Sequence, residues 1–415
     1  MKAGDFLFSR ANTLELVGAV VLVRNNHPNL FFSDKILRLD LDPALKPWLL
    51  KYLQSLEGKR KLAAVSTGNQ ASMRNIGQNE LKSVSIPLPP LNEQRRIVEK
   101  IEAMFERIDK GVENLRGAKA TLALYRQSLL KSAFEGKLTA DWRAQNADKL
   151  ETPKTLLARI QKERETRYKS ALDDWQTFLS EWRANGEVGR KPSKPSRPED
   201  VAPLEPHEKA AAPTVPPEWA VSRMGLYIDW IEAGKSFKCL ELEPTVDQIG
   251  VAKVSAVSWG EYKEAESKTC LDPDMVNETL FINEGDFLFS RANTIELVGA
   301  AVIVKKVTKR VMLSDKTLRI YFSSENQRFF LYYFRSPFGR AEIEERSTGN
   351  QESMRNIGQE RIRNIVVPIC SPAEQAEITR ILDARLTAAD AMEAEINSAL
   401  LRAEALRQSI LKQAF

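Results

Sequence analysis

A stretch of this 415-residue chain occurs twice. GDFLFSRANTLELVGA (residues 4–19) returns as GDFLFSRANTIELVGA (285–300), and STGNQASMRNIGQ (66–78) as STGNQESMRNIGQ (347–359). The offset is 281 in both cases, and it holds again between NEQRRI (92–97) and AEQAEI (373–378) and between YRQSLLKSAF (125–134) and LRQSILKQAF (406–415). Residues 4–134 therefore align with 285–415 without a gap. Whatever fold the first copy takes, the second must take too, and a tandem repeat around one intervening segment predicts a pseudo-twofold molecule suited to a target with two halves.

Each copy ends in a helical pattern. From Leu91 to Phe134 there is no proline, and apolar residues recur in a four-three rhythm at Ile101, Phe105, Ile108, Val112, Leu115, Leu122, Leu129 and Ala133. The matching positions are Leu382, Leu386, Ala389, Ile396, Leu400, Ala403, Ile410 and Ala414. This spacing predicts two long helices with coiled-coil seams that pair with each other. A helix of roughly 38 residues is about 57 Å long. Lys119, Arg126, Glu393 and Arg407 also fall on the seam, where polar residues fix register rather than add stability. Both helices start after a Pro-containing stretch, IPLPPLNEQ (86–94) and VPICSPAEQ (367–375); proline stops the preceding strand and a first-turn Glu suits the helix dipole.

The remainder of each copy alternates apolar and polar residues over short runs, such as FLFSR and ILRLDL, which predicts strands in an α+β fold: two globules of mixed α/β structure separated by two long antiparallel coiled-coil helices. The expected segments are 1–90 (first globule), 91–138 (first spacer helix), 139–216 (charged helical and Pro-rich linker), 217–370 (second globule) and 371–415 (second spacer helix). Thr152-Pro153 provides a cap and first helical residue within the linker, and residues 187–217 carry eight prolines. The copies are unequal, because the first globule has no counterpart of about 218–281. An upstream start, a rearranged gene or a head supplied by another chain would each account for this.

Composition narrows the chemistry. A net charge of +5 permits a polyanionic partner without requiring one. Three scattered cysteines argue against a disulfide framework and for a reducing, cytoplasmic setting. Two isolated histidines, His27 and His207, give no zinc cluster or His-based dyad. No run of 18 apolar residues predicts a membrane span. Ala233-Gly234-Lys235-Ser236 looks like the end of a phosphate loop, but Asp229 stands where that loop needs a glycine. No catalytic constellation emerges and no metal ligand set is expected.

Binding groups are more evident. Arg10 and Asn12, with Arg291 and Asn293, follow the FLFS run. Asn69, Gln70 and Arg74, with Asn350, Gln351 and Arg355, sit in Gly-flanked loops. Arg pairs with guanine and Asn or Gln with adenine through two hydrogen bonds. Lys35, Arg38, Lys316 and Arg319, with Lys235 and Lys238 in the second copy only, add cations for phosphates. Asn and Gly in loops also simply shape turns, and residues identical in both copies also serve to pack or to dock a common partner. Trp259 reads first as a core residue.

The order of globule, long helix, charged linker, globule and long helix resembles one known family. Its residues are GDFLFSRANT-ELVG, VSAVSWGEY (254–262), STGNQ-SMRNIG, the P-x-x-EQ helix start, LLKSAFEGKLTADWR (129–143) and PPEWAVSRMG (216–225). Together they resemble the DNA-specificity (S) subunit of type I restriction-modification systems, over nearly the whole chain. The resemblance implies two target-recognition domains, each reading half of a bipartite double-stranded DNA site, and helices that dock two methyltransferase (M) subunits, with restriction (R) subunits joining for cleavage. It also implies no catalytic residues here: S-adenosylmethionine, ATP and Mg²⁺ belong to the partners. The missing head of the first domain departs from the family pattern. It leaves an alternative open, a truncated specificity subunit acting as an assembly or decoy protein without a complete DNA target.

Overall fold

Leu7 and the two phenylalanines beside it nucleate the first unit. In the computed structural model, which describes all residues except 71–72, 190, 196, 198–199, 259, 324–326 and 350–353, and only the backbone of 69, 70 and 149, the run Phe6–Ser9 is a wholly buried strand, β1. The chain continues through β2 (Ala11–Asn12), β3 (Val20–Leu22) and β4 (Ile36–Leu39), and β3 and β4 flank β1 antiparallel. Helices α1 (Lys46–Gln54) and α2 (Leu56–Val65) follow. Ser55 caps α2 by accepting from the Gly58 amide at 3.1 Å, and a side chain at Gly58 would meet the Tyr52 carbonyl at 2.2 Å. That close turn aims Tyr52, Leu53 and Leu62 onto Phe6 and Phe8. Strands β5 (Thr67–Gln70) and β6 (Met73–Asn75), helix α3 (Gln78–Lys82) and the long α4 (Leu91–Phe134) complete the first copy.

The chain divides into two compact units, residues 1–122 with 390–415, and residues 123–389. The first unit is thus built from both copies of the repeat. Within it the far end of the second long helix runs antiparallel to α4. Lys119 meets Glu393 at 3.3 Å and the Asn397 Oδ1 at 2.9 Å, while Arg407 pairs with Asp109 and lies over the Phe105 ring. Lys119, Glu393 and Arg407 therefore answer groups on the opposite helix, as register-setting positions do. Ile101 and Leu122 are buried; Phe105, Ile108, Val112, Leu115, Ile396, Leu400 and Ile410 are half-buried. Phe415 packs edge-on against Trp48 and Tyr52, at 4.8 and 5.4 Å between centroids.

The second unit opens with the last turns of α4, where Leu129 is buried and Phe134 packs on Phe329 and Tyr333. These are the counterparts, at the 281 offset, of Phe415, Trp48 and Tyr52. Helices α5 (Ala140–Gln145), α6 (Pro153–Ala184, capped by Thr152) and α7 (Pro206–Ala211) precede β7 (Ala220–Arg223), β8 (Ile228–Ala233), β9 (Ile249–Ala252) and β10 (Ser267–Thr269). The repeat then returns as β11 (Phe287–Ser290), β12 (Ala292–Asn293), β13 (Ala301–Ile303), β14 (Arg310–Met312), β15 (Thr317–Phe322), α8 (Gln327–Arg335), α9 (Pro337–Arg346), β16 (Arg355–Asn356), α10 (Gln359–Arg363), β17 (Val366–Ile369) and α11 (Pro372–Ala414). Its main sheet runs β13-β11-β15-β8, with β17 pairing β7 and β10-β9-β14 forming a further layer. Leu382 is buried in the larger core and Leu386 packs at its margin.

Two findings refine the expected layout. The Pro-rich stretch is not a free linker: Glu208 of α7 bridges Arg223 and Arg346, at 2.8 and 3.2 Å, and Val201 and Val215 pack against the core. The motifs around 139–143, 216–225 and 374 also meet. Buried Glu374 accepts from Thr139 Oγ1 at 2.7 Å, from Trp219 Nε1 at 2.8 Å and from Arg143. Charge-assisted bonds to a carboxylate are the strong ones, so this knot ties the start of α11 to the chain on either side of the linker.

Candidate nucleic-acid interface

In each unit the duplicated SRAN and SMRN motifs come together on a short antiparallel ladder. Ala11 and Asn12 of β2 face Asn75 and Arg74 of β6; Ala292 and Asn293 of β12 face Asn356 and Arg355 of β16. The segment ahead of β6, in β5, and its repeat ahead of β16 need glycine. Gly68 and Gly349 sit at φ 133° and 132°, and a side chain on either would strike the Met73 or Met354 carbonyl at 2.3 Å.

The ladder decides what its arginines can do. Arg74 donates to the Ser66 hydroxyl and to the carbonyls of Ser66 and Gly68; Arg355 does the same with Ser347 and Gly349. These guanidinium groups staple their own hairpins, and reading a guanine would require those bonds to break. Arg10 and Arg291 are half-buried, each 3.4 Å from the Oδ1 of Asn75 or Asn356. Their amides bond to the carbonyls of Lys35 and Lys316, whose side chains are exposed. Asn12 and Asn293 each accept from the amide of the following Thr at 2.9 Å, and the Asn12 Nδ2 also donates to the Ser9 hydroxyl at 3.4 Å. The side chains of Asn69 and Gln70, and the whole of Asn350, Gln351 and Trp259, lie outside the described residues.

Arg319 departs from the expected surface role. It is 3% exposed, and it pairs with Glu232 at 2.9 Å and Asp286 at 2.8 Å. Its sequence neighbours on β15 alternate apolar residues, but both faces of a central strand in a four-stranded sheet are covered, so a cation there must be paired internally. Burial pushes the Asp286 carboxyl up from its ordinary value. Arg38, the counterpart in the first unit, is exposed and stands 3.8 Å from Asp5.

The second unit adds a cleft of ≈ 510 Å³ that joins the ladder to the segments between the copies. Asn293 and Lys316 line it with Ser236, Lys253, Lys268 and Asp315. Exposed Lys235 and Lys238 flank its Ser236–Phe237 wall in sequence. Lys253 and Lys268 escaped sequence reading, since each is a single lysine in a strand-forming run. The outcome is a mixed wall: Lys253 and Lys316 stand with the Asn293 amide, while Lys268 pairs with the lining Glu241 and Ser236 donates to Asp315; lysines and amides are groups that hold phosphates and base edges. Among the described residues no group of three or more His, Cys, Asp or Glu could hold a metal ion, and no helix is long and apolar enough to cross a membrane.

The site thus combines a duplicated amide-bearing ladder, a mixed polar cleft in the second unit and long paired helices. Comparison with known proteins agrees in kind. Residues 2–115 match the family model of the Type I restriction modification DNA specificity domain. The chain is 32% identical over 164 residues to the type I restriction enzyme EcoKI specificity subunit of Escherichia coli (strain K12), covering 39% of this chain and 35% of that protein. It is 25% identical over 305 residues to the EcoEI specificity subunit of Escherichia coli, covering 72% of this chain and 46% of that protein. A solved structure titled for complex assembly and conformational transition of the type I R-M system aligns over 100% of this chain and 82% of its own, with 18% identity and a TM-score of 0.60. The fold is therefore shared with that type I R-M structure, and the chain is similar in sequence to type I specificity subunits, the likeness read from the duplicated motifs. The matched stretches span less than half of the two curated relatives.

Proposed function

We propose that this chain is a non-catalytic DNA sequence-specificity subunit of a type I restriction-modification complex. It binds a bipartite double-stranded site through its two units, and its paired helices dock two methyltransferase subunits, with restriction subunits joining them. S-adenosylmethionine, ATP and Mg²⁺ act in those partners. The observation that carries this reading is the same amide-bearing ladder in both units, set beside a lysine-lined cleft in the second.

Affinity and specificity then fall to different residues. Lys253, Lys316, Lys235 and Lys238 act on phosphates, so each alanine substitution weakens binding to all sequences alike and lowers the salt slope by about 1. Asn293 and Arg291 act nearer base edges; replacing either costs about 1–3 kcal/mol at one base pair and spares the others. Fluorescence anisotropy of the chain with its methyltransferase subunit, on matched and single-mismatch duplexes over a salt series, separates the two classes. Binding that is blind to sequence in every variant would leave only an assembly role.

A further inference from the structure

Cys239 and Cys270 stand well apart in the chain and side by side in the fold. Leu240 and Thr269 form an antiparallel bridge that exchanges both backbone bonds, at 2.9 and 3.0 Å. The next step of that register sets Cys239 opposite Cys270. The Cys270 amide turns the other way, onto the Ile249 carbonyl at 2.8 Å, as the non-hydrogen-bonded pair of an antiparallel ladder requires. Residues facing each other in such a pair have Cα atoms about 4.5 Å apart, inside the span of about 4.4–6.8 Å that a disulfide bridges. Facing side chains share one side of the ladder, and both cysteines pack on the same apolar cluster, around Val251, Leu280 and Met312.

Both thiols are free and half-buried. Cys239 lines the polar cleft with Phe237, Lys253 and Lys316, so a small solute in the cleft reaches it. The thiols also feel each other: burial first, and Cys270 next, hold the Cys239 thiol above its ordinary value. A raised value slows attack on a peroxide at neutral pH, so the pair answers an excess of oxidant. The Cys270 thiol donates to the Asp272 carbonyl at 3.3 Å, a weak bond that rotation of the side chain gives up. The flanking segments are already tied, since Thr269 Oγ1 donates to the Leu242 carbonyl at 2.8 Å and Lys268 pairs with Glu241. Joining the sulfurs therefore asks for side-chain rotation and not for a new backbone path.

We propose that Cys239 and Cys270 are a redox-modification site, at which a peroxide closes a reversible disulfide that pins the 236–242 wall of the cleft to β10. The Cys239 thiolate attacks one oxygen of hydrogen peroxide and becomes a sulfenic acid, while the other oxygen leaves as hydroxide and takes a proton to form water. The Cys270 sulfur then attacks the sulfenic sulfur, the S–O bond breaks and a second water leaves. Two thiols and one hydrogen peroxide thus give one disulfide and two waters, with two electrons passing from sulfur to peroxide. A dithiol reductant reverses the bond by thiol–disulfide exchange. Where thiols are kept reduced, such a bond is transient. The site stands whether or not the chain reads DNA.

Peptide mapping of the full chain after a hydrogen peroxide series under native conditions, with free thiols alkylated before digestion, tests this. The expected product is a cross-linked pair of peptides joining Cys239 to Cys270, with both thiols lost together, Cys370 spared, and both thiols recovered on treatment with dithiothreitol. Hydrogen exchange at the Leu240 and Thr269 amides should slow in the linked chain and return on reduction. Cys239→Ser and Cys270→Ser chains should show neither the link nor the slowing. Oxidation of either cysteine to a sulfinic acid without the link overturns the proposal, as does a link to Cys370 or to a second chain. So does a link that appears only after unfolding in urea, or unchanged exchange in the linked chain.

Discussion

At the scale of the residue, charge placement follows burial rather than motif identity. SRAN and SMRN are legible in the sequence as polar runs beside a strand, but whether an arginine faces solvent or its own loop depends on pairing that only the folded ladder creates. Arg355 is the clearest case, with its donors spent on Ser347 and Gly349. Arg355→Ala should cost about 1–3 kcal/mol and speed hydrogen exchange at the Thr348 and Asn356 amides, which bond across the ladder; unaltered exchange there would leave the arginine free for another role. Glu208 makes a pH prediction. Burial alone would push its carboxyl up, but the Glu205 amide, Arg223 and Arg346 outweigh that and hold it below the usual carboxylate value. A depressed carboxylate stabilises the fold above its unfolded pKa of about 4.3 and loses that contribution as pH falls through the lower folded value. The wild-type second unit should therefore lose melting temperature more steeply between about pH 5 and pH 3 than a Glu208→Gln variant, which starts lower at neutral pH. Parallel pH profiles would contradict this.

At the scale of the element, the long helices were the most legible part of the chain, because forty-odd residues without proline and with a four-three apolar rhythm have few other ways to bury themselves. Their bounds, Leu91–Phe134 and Pro372–Ala414, sit close to the expected 91–138 and 371–415. Less legible was where each helix ends up. Phe134 and Phe415 occupy equivalent positions, yet each packs on aromatic residues of the other copy, in the second and first units respectively. Periodicity records that a face is buried and not what buries it. Phe134→Ala should cost about 3–5 kcal/mol, and Phe415→Ala, at a half-buried site, about 2 kcal/mol. Calorimetry should show the first substitution lowering the transition of the second unit and the second that of the first unit. The Pro-rich stretch shows the same limit: its composition signals a linker but not where that linker packs, which Glu208, Val201 and Val215 decide.

At the scale of the whole molecule, the gapless 281 offset set the architecture before any element was assigned, since two equal copies must fold alike. What the offset could not convey is the consequence of their inequality. Among the described residues β4 is an outer strand and Phe31 is exposed, whereas the equivalent β15 is paired by β8 and Met312 is buried. The polar cleft of the second unit is built in part from 236–268, residues that lie between the two copies. The most direct test maps methylated adenines, molecule by molecule, in DNA from cells that co-express this chain with its methyltransferase subunit. The account predicts one split motif with a fixed spacer, in which Asn293→Ala and Arg291→Ala relax bases in one half only and Lys316→Ala lowers methylation throughout. Methylation without a defined motif, or a motif indifferent to all three substitutions, would contradict it.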